Sequence, residues 1–104
     1  MAPRYDPRQE PYRDGFRAFL KQHYSEKNTI ESYVNKVFYL WNKRGESAFW
    51  SAARSDEKTL QKTLEETLET YNPKCAKETY LKDHMRCFRR FREYISQRPE
   101  YPNK

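Results

Sequence analysis

A chain of 104 residues is long enough for one domain with a modest core and too short for two. Only 36% of it is hydrophobic but 16% is aromatic, so the core must be built largely from rings, and two glycines with six prolines outside the periodic segments exclude a β architecture. The net charge of +6 is unevenly spread: +4 over residues 1–45, −3 over 46–71, +5 over 72–98 and 0 over 99–104. Positive front and rear segments around an acidic middle are the asymmetry of a surface that meets a polyanion.

Residues 1–8 hold two prolines and alternating charge and read as a flexible arm. A first helix is predicted from residues 9–11 to about 23, with Tyr12, Phe16, Phe19, Leu20 and His23 on one side. Gly15 lies inside it, which means either a later start or a neighbour packed close against it. The loop 24–28 then leads to the strongest pattern in the chain. Over residues 29–43, Ile30, Tyr33, Val34, Val37, Phe38 and Trp41 form one apolar stripe, while Glu31, Ser32, Asn35, Lys36, Asn42 and Lys43 form a polar one. Thr29 is the predicted N-cap of this central helix and Gly45 its stop.

Phe49 and Trp50 fall in a short helical turn. Ser55 is the predicted cap of a third helix, with Asp56 and Glu57 in its first turn and Leu60, Leu64, Leu68 and Tyr71 along its buried side. The last helix is predicted over 77–97, with Leu81, Met85, Phe88, Phe91, Tyr94 and Ile95 inward and Lys82, Arg86, Arg89 and Arg90 on an adjacent basic strip. That strip can neutralise DNA phosphates or pair with Glu65, Glu66 and Glu69 of the third helix. Residues 99–104 read as a mobile tail or a severed linker. The fold class is therefore all-α: four main helices and a short helical turn in a single small orthogonal bundle over residues 9–98. Its expected core contains Phe16, Leu20, Tyr33, Val37, Trp41, Leu64, Phe88 and Phe91.

Cys75 and Cys87 are too few for a disulfide framework and lack zinc-ligand spacing, which reads as reduced thiols in an intracellular protein, of the cytoplasm or nucleoid or of a eukaryotic nucleus. No run approaches the ~20 apolar residues of a membrane span, and MAPRYDPRQEP has no signal-peptide apolar region. Two histidines and no glycine-rich loop give catalytic, metal or cofactor chemistry little to build with.

The order of these pieces resembles the N-terminal core-binding domain of tyrosine recombinases, the SAM-like domain of phage integrases. The resemblance rests on Thr29-Ile30-x-x-Tyr33 with Phe38 and Trp41, and on LKDHMRCFRRFREYI, residues 81–95, and it covers about residues 12–97. It implies double-stranded DNA as partner, with a catalytic domain or another protein subunit beside it, and a monomer in isolation. It places Lys27, Asn28, Thr29 and Lys36 on one DNA-facing surface and Lys77, Thr79, Lys82, Arg86, Arg89 and Arg90 on a second. Nothing like the family's catalytic Arg, His-x-x-Arg and Tyr set follows, so strand transfer is not expected of this chain. A helical protein-interaction domain with an incidental basic face is the alternative, and an RNA binder a third reading.

Overall fold

The computed structural model describes residues 6–71, 73–75 and 78–102, and within them the chain is all-helical. Five helices follow in order: α1 Glu10–Leu20, α2 Lys27–Arg44, α3 Glu46–Arg54, α4 Glu57–Tyr71 and α5 Glu78–Ser96, with 3-10 turns at Pro7–Gln9 and Pro73–Cys75. The predicted short turn at Phe49 and Trp50 is a full nine-residue helix, α3. None of the helices is long and apolar enough to cross a membrane.

α2 is the axis of the molecule. Its 18 residues reach about 27 Å at 1.5 Å per residue, nearly the full width of a bundle measuring 31 × 30 × 29 Å. α1, α3, α4 and α5 all pack on it, so Leu40, outside the predicted stripe, is buried as completely as Val37 and Phe38. All eight residues expected in the core are buried. Gly45 ends α2 as the sequence predicts: at φ +92° it takes the left-handed region while its N–H donates to the Trp41 carbonyl at 2.8 Å.

The two predicted caps move. α2 begins at Lys27 behind Glu26, so Thr29 sits within its first turn, and no side chain caps that end. At α4 the cap is Asp56, whose Oδ1 accepts the Thr59 N–H at 2.7 Å; the Ser55 hydroxyl instead turns back to the Ala52 carbonyl at the end of α3.

Both ends of the described chain are tied to the bundle. Asp6, in the predicted arm, caps the first 3-10 turn and accepts from the Trp41 indole N–H at 3.4 Å; residues 1–5 lie outside the description. The predicted mobile tail packs instead: Tyr101 meets Tyr12 edge-on at 4.8 Å and shares a 2.7 Å hydrogen bond with Tyr94. The Arg54 guanidinium donates to the carbonyls of Tyr101 and Pro102.

This packing explains Gly15. A methyl there would overlap the Tyr94 hydroxyl and stand 3.3 Å from the Tyr101 hydroxyl. Gly→Ala inside a helix ordinarily stabilises by up to ~1 kcal/mol; here Gly15→Ala should destabilise, by about 1–3 kcal/mol, because it displaces the buried Tyr94 ring and breaks its part-buried hydroxyl pair with Tyr101. Urea denaturation checks the sign, and Gly15→Ala combined with Tyr94→Phe should recover part of the loss.

Candidate nucleic-acid interface

The chain's positive charge divides into cations used inside the bundle and cations that remain outside. Arg13 is only 3% exposed; it donates to Gln9 Oε1 at 2.9 Å and Asn35 Oδ1 at 3.1 Å and lies over the Phe38 ring. Arg92 donates to the Ser55 carbonyl at 2.6 Å, closing the end of α3, and burial holds its affinity for the proton below the usual arginine value. With Arg54 on the C-terminal segment, these arginines serve as internal hydrogen-bond donors, a use that charge counting along the sequence does not reveal.

Of the residues the sequence assigns to DNA, Lys27 and Asn28 are exposed and Thr29 is half-buried in the first turn of α2. Lys27 lines a cleft of about 510 Å³ with Arg17, Lys21 and Tyr24. Lys36, nine residues on, projects from the opposite side of the helix at 3.6 residues per turn and donates to Ser32 Oγ at 2.8 Å. Lys77 lies outside the described residues. Thr79 is exposed in the first turn of α5.

The basic strip of α5 is outward-facing, and each of its members has a carboxylate neighbour: Lys82 with Glu78 at 3.2 Å, Arg86 with Asp83 at 3.2 Å, Arg89 with Glu57 at 2.7 Å and Arg90 with Glu93 at 3.0 Å. The acidic partners are these, not Glu65, Glu66 and Glu69. Exposed pairs of this kind contribute roughly 0–1 kcal/mol, so a phosphate can replace the carboxylate at little cost. Arg89 reaches across to α4, and with Lys82, Arg86 and Gln61 it lines a separate cleft of about 450 Å³ between α4 and α5.

The two predicted surfaces meet along the seam where α5 runs antiparallel to α2. At one end Arg90 Nε donates to the Tyr24 hydroxyl at 3.1 Å, and Tyr24 and Tyr33 share a 3.3 Å hydrogen bond. Those contacts hold the Tyr24 hydroxyl below its ordinary pKa, while burial and the same bond push Tyr33 up to about 12. One turn on, Arg86 lies over the Tyr33 ring at 5.9 Å. Further along, His84 packs between Tyr39, at 5.8 Å, and Tyr80, at 5.0 Å, beside Lys36. Tyr24, Tyr39 and Tyr80 are three of its eight side chains, and all three fall outside the sequence assignment: Tyr39 and Tyr80 sit beside the apolar stripes rather than on them, and Tyr24 in the loop before α2.

His84 is 1% exposed and neither ring nitrogen makes a hydrogen bond of good geometry among the described residues. Burial, then the Lys36 ammonium, lowers its pKa to about 4. An unfolded imidazole titrates near 6.5, so between pH ~6.5 and ~4 the unfolded chain holds a proton that the folded chain refuses. Stability from this group is complete above pH ~6.5 and falls as the pH drops towards 4, by on the order of 3 kcal/mol. Urea titrations across that range should show the loss in the parent and a flatter profile in His84→Met. Cys87, also buried here, is a free thiol whose pKa burial raises to about 11; the Cys75 side chain lies outside the description.

Comparison with protein-family models, curated proteins and solved structures finds no match to this chain.

Proposed function

We propose that this domain binds double-stranded DNA through the α2–α5 seam, in the manner of the core-binding domain its sequence resembles, and that it binds without catalysing a reaction itself. The observation that carries the reading is the seam: the loop before α2 and the basic strip of α5, both expected to face DNA from the one resemblance, adjoin through Tyr24–Arg90 and Tyr33–Arg86. Guanidinium groups laid over rings are rigidly presented, and arginine in this state makes bidentate contacts with phosphate at a small loss of side-chain freedom. Lys36 extends the positive surface along the seam, while Lys27, on the opposite side of α2, flanks its Tyr24 end from the cleft beside α1; neither has a carboxylate partner among the described residues. Phosphate contacts from such a row supply affinity independent of sequence.

Chemical-shift mapping tests this reading. Adding a ~20-bp duplex to the ¹⁵N-labelled chain should shift the amides of Tyr24, Lys27, Tyr33, Lys36, Arg86 and Arg90, leaving Lys62 and Glu66 on the outer face of α4 in place. Shifts centred on α4, or none, would turn the assignment to the protein-interaction reading.

A further inference from the structure

The seam changes character along its length. Near Tyr24 and Tyr33 arginines lie over the rings, whereas beyond Lys36 a lysine does: Lys43 stands over Tyr39 and Tyr71, Tyr39 and Tyr80 are half-buried against the core, and Tyr71 is 47% exposed. We propose that this second half, the cleft around His84 together with the Tyr39–Lys43–Tyr71 cluster, binds unstacked nucleotides of a single-stranded nucleic acid. The proposal rests on the premise of the duplex reading that the seam meets a nucleic acid and shares Lys36 with it, while Tyr39, Lys43, Tyr71 and Tyr80 belong to this half alone.

Three observations carry it. First, the cleft encloses about 280 Å³ and is lined by Ser32, Asn35, Lys36, Tyr39, Tyr80 and His84. That is close to the lower bound of small-molecule pockets, about 300 Å³, and suits one ring system rather than a longer chain of groups. Second, its floor is His84, whose ring nitrogens make no hydrogen bond of good geometry among the described residues. A buried imidazole with an unused donor and acceptor is costly, and the polar edge of a base entering between Tyr39 and Tyr80 would satisfy it.

Third, cations alternate with these rings and carry no carboxylates among the described residues. Lys43 Nζ stands 5.6 Å from both the Tyr39 and the Tyr71 ring centres. Arg44 lies 5.7 Å from Tyr71 and donates to the Thr67 hydroxyl, and Lys36 is held by Ser32. The contrast is with the α5 strip, where every cation is matched by an acid. Aromatic faces interleaved with unmatched positive charge are the recognition chemistry of single strands, whose bases can leave the stack and lie on rings while their phosphates meet lysines. A duplex keeps its base faces hidden and cannot use these rings.

Fluorescence anisotropy on the full chain with labelled dT12 and rU12 at ~50 mM salt tests the proposal, with the 20-bp duplex and a poly-glutamate peptide as competitor alongside. Binding of at least one single strand is expected, with Tyr39→Ala and Tyr80→Ala each weakening it about tenfold, Tyr39→Phe and Lys43→Gln confirming that ring and charge both count, and duplex affinity staying within about twofold. Amide spectra establish that each variant is folded. Failure to bind either single strand while the duplex binds overturns this proposal and leaves the duplex reading standing; single-strand binding without duplex binding does the reverse. Equal affinity in folded Tyr39→Ala, Tyr80→Ala and parent overturns it, as does displacement of the strand by poly-glutamate at comparable charge, which would assign the cluster to an acidic peptide.

Discussion

Phe91→Ala should lower the stability of this domain by about 4 kcal/mol, the cost of emptying a fully buried aromatic site. Phe91 is 0% exposed and sits where every layer of the bundle meets, with ring centres at 5.1 Å from Phe16 of α1, 5.6 Å from Phe38 of α2 and 5.5 Å from Phe49 of α3. These neighbours belong to different helices, so none can fill the cavity without disturbing its own helix. For a small domain, whose total stability is in the range of 5–15 kcal/mol, such a loss is a large fraction and should depress the melting temperature by about 20 °C. Tyr71→Ala is the control, since Tyr71 lies at the surface and should change stability by less than about 1 kcal/mol. Equal melting of the two variants would mean that α5 does not present Phe91 to the centre of the bundle.

The helices and their inward faces were readable because α-helical periodicity is a local property. Ile30, Tyr33, Val37 and Trp41 announce a buried stripe whatever packs on it, and Gly45 announces a stop. Gly15 was readable as an anomaly with two explanations, and only the fold decides that Tyr94 occupies the space a side chain would take. Leu40 was missed because its burial depends on how many helices surround α2. Ser55 was misplaced as a cap because Asp56 beside it takes the role, and Thr29 because α2 starts two residues earlier, at Lys27, with no side chain capping it; turn geometry rather than propensity settles both.

The candidate site was harder to read than the fold. A charge count treats Arg13, Arg54 and Arg92 like Arg86, yet the first three are donors to Gln9, Pro102 and Ser55, contacts separated along the chain by as many as 48 residues. The packing of Tyr101 against Tyr12 is equally long-range, which is why a Pro-rich tail gave the impression of mobility. His84 stands beside the apolar stripe of α5, a place that suggests packing, and its position at the floor of a cleft between Tyr39 and Tyr80 exists only in the fold. Tyr39 and Tyr80 acquire meaning only when α5 is laid antiparallel to α2.

The salt dependence of duplex binding tests the central claim most directly. With about four phosphates contacted, a plot of log K against log salt should fall with a slope near −3.6, roughly a hundredfold loss of affinity between 50 and 200 mM. Lys36→Ala/Arg86→Ala should flatten that slope by about two and weaken binding at ~50 mM, whereas Lys58→Ala/Lys62→Ala, exposed on α4, should keep the parent's slope. No detectable binding at ~50 mM salt, or the same change of slope in both double variants, would contradict the account: the α2–α5 seam would then be an ordinary solvated face.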